Sequence, residues 1–114
     1  MKEYLLIFRA DSKAIEKVSQ EETQDRNNSW MDWINWIDAQ GKLAKGGNHL
    51  CTDGIVLHSN GLITEGPFTE IKESILGYIL INAESYVTAV EMAKACPILA
   101  GEDTSVEIRE IGSF

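Results

Sequence analysis

The run Thr64-Glu65-Gly66-Pro67-Phe68-Thr69-Glu70-Ile71-Lys72 places a carboxylate beside a Gly-Pro bend, with a lysine shortly after it. A carboxylate held at a strand end can take or give a proton, worth about 10²–10⁴-fold in rate. A nearby ammonium can lower the carboxylate's pKa or hold an anionic group of a substrate. Glu65 is therefore the first candidate acid or base, and Lys72 the second. His49, in Gly46-Gly47-Asn48-His49, is the third. An imidazole titrates near neutrality, and the preceding glycines permit close approach of a ligand or of a neighbouring backbone. Each residue also has a structural reading. Glu65 can be a solvated turn residue and His49 a hydrogen-bonded edge residue. Lys72 and Glu70 can be surface charges contributing under ~1 kcal/mol. Pro67 fixes φ, and Phe68 is expected to anchor the loop on the core while remaining a candidate pocket-lining residue.

Trp30, Trp33, Ile34 and Ile37 follow the i, i+3, i+4, i+7 spacing of an amphipathic helix, which makes them core residues. Trp36 lies off that stripe, a candidate for a pocket rim or a subunit contact. Cys51 and Cys96 read as small buried hydrophobes, with no basic or histidine neighbour in sequence to favour a thiolate. Two cysteines and two histidines fit no metal-ligand pattern, so neither metal nor organic cofactor is expected.

These residues sit in a chain of 114, which suits one domain spanning 1–114. The formal net charge is −8, with ten scattered basic residues. Such a chain is repelled by a phosphate backbone and by an anionic lipid surface, which sets aside nucleic acid and membrane as partners. The N-terminal apolar run is broken by Arg9 and Asp11. It is too short for a signal-peptide core, so a cytoplasmic protein with reduced thiols is expected.

The elements that must position the candidates alternate between strand and helix signals. Glu3–Arg9 and Ile75–Ala83 are rich in β-formers and apolar on both faces. A helix is expected from about Gln20 to Gln40, with a capping box at Ser19 and Glu22 and a stop at Gly41. Further strands are expected over Leu43–Cys51, Ile55–His58 and Leu62–Thr64, with Asn60-Gly61 as a two-residue hairpin turn. One short helical turn is expected over Thr69–Ser74. A second helix runs from about Ser85 to Ala95 and is stopped by Pro97. Ser105–Ile111 closes the chain as a strand with one wet face. This order suits an α+β fold, a ferredoxin-like antiparallel sheet with two helices on one face. The other sheet face is then apolar and open. Burial is worth about 25 cal/mol per Å², so a two-fold, sheet-to-sheet homodimer is expected.

At TEGPFTEIK the chain resembles the YCII-related, DGPF-domain family. The run Thr64–Glu73, then Gly77-Tyr78, follows the pattern DGPF, a small residue, E, a variable residue, KE, then a glycine-aromatic strand. The opening strand, the Trp-bearing helix ending in Gly-Lys-Leu, Ala95-Cys96-Pro97 and the closing VEIREI strand agree with it over nearly the whole length. Glu65 stands where the family has Asp, which keeps the carboxylate one methylene further out. The His–Asp pair proposed for the YCII branch does not carry over, because no histidine lies in the first-helix region. The resemblance implies a dimeric α+β barrel and a small bacterial protein. Some relatives are similar to dehydrochlorinases of chlorinated hydroquinones; others are joined to, or encoded beside, alternative sigma factors.

Three functions follow as expectations. The first is a cofactor-independent enzyme acting on a small molecule by acid/base chemistry near the EGPF motif, in a cleft between sheet and helices. The second is a non-catalytic ligand-binding or regulatory domain using the same pocket. The third is an interaction module, tied to sigma-factor-dependent transcription. An enzyme needs Glu65 facing an enclosed cavity, within ~3 Å of another titratable group or of a bound ligand.

Overall fold

Alternation of side chains along a strand sorts β1, Lys2–Ala10, into two faces. Tyr4, Leu6, Phe8 and Ala10 are buried, while Glu3, Leu5, Ile7 and Arg9 are half-buried on the opposite face. The structure is a computed structural model of the chain and describes residues 1–11, 20–66 and 73–113. Helix α1, Gln20–Ala39, leads to β2, Leu43–His49, and to a hairpin of β3, Ile55–Leu57, and β4, Ile63–Glu65. Then come β5, Ser74–Ala83, helix α2, Tyr86–Ala93, a 3₁₀ turn at Pro97–Ala100 and β6, Ser105–Glu110. The four long strands form one sheet in the order β2-β5-β1-β6, every pair antiparallel. This is the expected ferredoxin-like α+β arrangement. The β3–β4 hairpin forms a separate two-stranded sheet.

Helix α1 ends where the sequence says it should. Gly41 takes φ +69°, and the N–H groups of Gly41 and Lys42 donate to the carbonyls of Asp38 (2.8 Å) and Ile37 (3.2 Å). The capping box at Ser19 lies outside the described residues. The helical face carries Trp33 and Ile37 into a core shared with Tyr4, Leu6, Phe8, Ile79, Ile81, Ala89 and Met92. Trp33 satisfies its indole N–H by donating to the Met92 carbonyl at 3.0 Å, so the ring is buried without an orphaned donor. Phe8, Trp30 and Trp33 meet edge to face, with centroids 4.8 to 5.8 Å apart. Trp33 lies in the core and Trp30 packs against it, as their spacing implies.

Both helices pack against that one face. The opposite face presents Leu5, Ile7, Ile75, Tyr78 and Leu80, all half-buried and covered by no other element among the described residues. The chain is a slab 43 × 43 × 21 Å, as thin as one sheet under one helical layer. Its radius of gyration is 15.3 Å, against about 13 Å for a compact chain of this length.

Gly47 of β2 and Gly77 of β5 each approach the other strand's backbone. A Cβ built on Gly47 would lie 1.8 Å from the Tyr78 carbonyl oxygen, and one on Gly77 would lie 2.6 Å from the Asn48 carbonyl oxygen. Gly47 and Gly77 let β2 and β5 close on each other beside the register shift between Leu43 and Gly46. Replacing Gly47 with alanine must push the two strands apart, and is expected to cost about 1–3 kcal/mol. The melting temperature should fall by several degrees, whereas Gly112→Ala, which meets nothing within 4 Å, should leave it within a degree. Equal melting curves for the two variants would show that β2 does not close on β5 in this way.

Candidate functional site

Glu65 ends β4, and its neighbours are set by hairpin geometry. The register pairs Ile55 with Glu65, Val56 with Thr64 and Leu57 with Ile63. Period-two alternation therefore puts Ile55, Leu57, Ile63 and Glu65 on one face of the hairpin. The apolar members of that face are open to solvent, Ile55 and Leu57 at 72% and Ile63 at 60%. On the other face His58 and Thr64 hydrogen-bond through Nε2 and Oγ1 at 3.0 Å.

The turn differs from the expected two-residue form. Gly61 takes φ +86°, but Asn60 is not among the residues of positive φ. Gly61 N–H donates to the His58 carbonyl at 2.9 Å and His58 N–H donates to the Leu62 carbonyl at 2.8 Å. This is a three-residue loop in which a type I turn is followed by a left-handed glycine. The Asn60 side chain accepts from Leu62 N–H at 2.9 Å, so asparagine stabilises the turn by hydrogen bonding and glycine alone supplies the positive φ.

At its open end the hairpin is clipped. Gly66, at φ +88°, donates its N–H to the Gly54 carbonyl at 2.7 Å. Asp53, Gly54, Ile55, Glu65 and Gly66 line a cleft of about 420 Å³ against this clip. It is wide open to solvent, and Asp53 and Glu65 are both exposed. Among the described residues Glu65 has no hydrogen-bonded or ion-paired side-chain partner. Asp53 was not singled out from sequence; the signal for it was the Asp53-Gly54 turn dipeptide preceding β3.

The remaining candidates are spread apart. His49 is exposed at the end of β2, in register with Gly77. Trp36 is 45% exposed on α1. Neither lines the cleft with Glu65. Lys72 and Phe68 lie outside the described residues, as do Pro67 and most of the helical turn expected over Thr69–Ser74.

Arg9 is a residue that sequence reasoning passed over. It sits on the open sheet face opposite the bulge in β5, where Phe8 pairs with Gly77, Arg9 with Ile75, and Leu76 is the extra residue. Its Nε donates to Glu107 Oε1 at 3.1 Å, and its Nη1 donates to the Glu73 carbonyl at 3.0 Å. Arg109 reaches the other oxygen of Glu107 at 3.3 Å. Hydrogen bonds from Arg109 and then Arg9 hold the Glu107 carboxyl below the usual carboxylate range. Arg9 thus fixes the point where the TEGPFTEIK segment rejoins the sheet. An arginine on an otherwise apolar strand was the signal for it.

No three His, Cys, Asp or Glu side chains converge on a common metal position among the described residues. No helix among them is long and apolar enough to cross a membrane.

The family model described as the YCII-related domain matches residues 3–114. The chain belongs to that family. A comparison with curated proteins finds no match.

The two thiols are unpaired and unlike. Cys96 is buried as expected, and burial pushes its thiol up to about 12. Cys51 is exposed, against the expectation of a buried hydrophobe, because the Leu50–Gly54 stretch runs outside the core. Iodoacetamide at pH 8 should alkylate Cys51 readily and leave Cys96 untouched until the protein is unfolded. Equal labelling of both thiols in the native protein, read by peptide mass, would contradict this placement.

Proposed function

We propose that this YCII-related protein binds a small amphipathic molecule in the cleft between Asp53–Ile55 and Glu65–Gly66. The carrying observation is that two carboxylates and an apolar residue, Asp53, Glu65 and Ile55, line one open cleft. The Gly66–Gly54 hydrogen bond sets the cleft's width. Ile55 borders it, and Leu57 and Ile63 continue the same hairpin face. A ligand matched to this surface has an aromatic or aliphatic body and a hydroxyl or amino donor. The donor meets Glu65 or Asp53, and the body covers exposed apolar area at about 25 cal/mol per Å².

Binding without turnover is the better supported reading. General acid/base catalysis asks for an enclosed carboxylate paired with a second titratable group. Glu65 is exposed and has no such partner among the described residues. The catalytic reading keeps one supporting observation, the two carboxylates on a single cleft, with Lys72 or His49 as the assisting group. Under it the protein is a cofactor-independent enzyme and Glu65 exchanges a proton with the bound donor.

The working unit in this proposal is a homodimer packed through the open sheet face. Leu5, Ile7, Ile75, Tyr78 and Leu80 supply its apolar centre. Two unpaired thiols suit a reducing cytoplasm.

Thermal-shift screening of small amines, hydroxy acids and phenols tests the site. Hits should raise the melting temperature of the wild type by several degrees and that of Glu65→Gln and Asp53→Asn by clearly less. Equal stabilisation of all three proteins by every hit removes the two carboxylates from the ligand site. Proton NMR of each hit during incubation then separates the readings. An unchanged spectrum supports binding alone, and a converted ligand whose turnover is lost in Glu65→Gln supports catalysis.

A further inference from the structure

The β3–β4 hairpin turns an apolar face to water. Ile55 stands level with Glu65 and Leu57 stands level with Ile63, so four side chains on one face make two adjoining rungs. Three of the four are aliphatic, and each of those is more than half exposed.

The polar end of this face carries one sign of charge. Glu65 completes the first rung, and Asp53 stands two positions before Ile55 on the same cleft. Neither carboxylate has a hydrogen-bonded or ion-paired side-chain partner among the described residues. No lysine, arginine or histidine is among the described residues that line the cleft. Elsewhere Lys2, Arg9, Lys94 and Arg109 are each paired with a glutamate.

We infer that this face binds a primary alkyl- or arylalkyl-ammonium ion, with the ammonium between Glu65 and Asp53 and the body laid along Ile55, Leu57 and Ile63. The inference rests on the cleft reading above and fixes the sign of the ligand's charge and the length of its body.

Charge selects the sign. Two carboxylates on one cleft repel each other, and the whole chain carries −8, so anions are kept away and cations drawn in. A cation held between the carboxylates replaces that repulsion with two attractions. Donor count selects the head group. A primary ammonium has three N–H donors and no acceptor, so it can give one to each carboxylate. Such charge-assisted bonds are stronger than the neutral bonds of a hydroxyl. The strands select the length. The two rungs are two residues apart, about 7 Å, which a hexyl or phenethyl body spans. A shorter amine leaves the Leu57–Ile63 rung in water, and a longer one runs past Leu57, where β3 ends. The size of the face agrees with a small ligand. It holds four side chains, whereas a stable protein interface takes about 20–30 residues a side.

Titration with three compounds of one shape tests the inference, read from amide NMR spectra of the isotope-labelled protein. Hexylamine, hexanol and hexanoate share a body and differ in the charge of the head group. Hexylamine should shift the amides of Gly54, Ile55 and Gly66 and bind about tenfold or more tighter than hexanol, with hexanoate weakest. Butylamine should bind about twofold more weakly for each methylene removed, as expected for a half-covered chain, and octylamine should gain little over hexylamine. In the double variant Glu65→Gln, Asp53→Asn, hexylamine should bind no tighter than hexanol. In Leu57→Ser the advantage of hexylamine over butylamine should shrink. Where circular dichroism shows Leu57→Ser unfolded, Ile63→Thr takes its place. Hexanol that binds as tightly as hexylamine at these amides overturns the cation and leaves the cleft reading standing. No shift at these amides from any of the compounds at millimolar concentration overturns both. A folded Leu57→Ser chain that sediments as a smaller particle than the wild type makes a second copy the occupant of this face and overturns the ammonium ligand.

Discussion

The central strands β1 and β5 are apolar on both faces, and the helices among the described residues cover one. Everything else follows from that imbalance. Tyr4, Leu6, Phe8, Ile79 and Ile81 take the covered side and make a closed core with Trp33, Ile37, Ala89 and Met92. Leu5, Ile7, Tyr78 and Leu80 are left on the other. A third helical layer would have resolved the conflict within one chain. Among the described residues no third helical layer lies on that face. Covering that apolar surface would remove it from water, and the hydrophobic term that favours this scales with the area covered.

Much of this was legible in the sequence because it depends on side-chain period. Strands with two apolar faces announced themselves at Glu3–Arg9 and Ile75–Ala83, and the Trp30–Ile37 stripe announced α1. Punctuation was legible where one residue type has one physical role. Gly41 ends α1 with a positive φ, and Pro97 opens the turn after α2. The Gly46-Gly47 pair carried an ambiguity that residue type cannot resolve, since glycine admits a ligand and a backbone equally well. The close neighbour is the Tyr78 carbonyl, so Gly47 serves the strand pairing. Asn60 misled in a smaller way. Asn-Gly favours a two-residue turn, but the asparagine side chain found the Leu62 N–H and stabilised a longer loop.

The candidate site was legible as a place and not as an arrangement. Glu65 was found by motif, and it does line a cleft. Asp53 was not found, because what brings it to Glu65 is the hydrogen bond between Gly54 and Gly66, a contact between segments separated by the whole hairpin. Nor can period-two reasoning alone tell that β3 and β4 leave the main sheet. The two strands are short, and their outward residues Ile55, Leu57 and Ile63 look like core residues until the register shows them facing water beside Glu65.

Arg9 ties the two halves of the account together. It is the one base on the open face of β1, and it also holds the Glu73 carbonyl at 3.0 Å. Glu73 is where the segment that begins at Glu65 returns to the sheet. The far end of that segment is fixed by the Gly66–Gly54 bond, so Gly66 and Glu73, on either side of the residues not described, are each held by a hydrogen bond to a backbone carbonyl. One tether belongs to the cleft and the other to the sheet face. A charge-assisted hydrogen bond from a guanidinium is stronger than a neutral one and is strengthened further where water is excluded. Covering the open face would exclude water from Arg9 and so strengthen its hydrogen bond to the Glu73 carbonyl. The open sheet face and the segment that begins at Glu65 thus meet at a single side chain, on the strand whose two apolar faces set the whole structure.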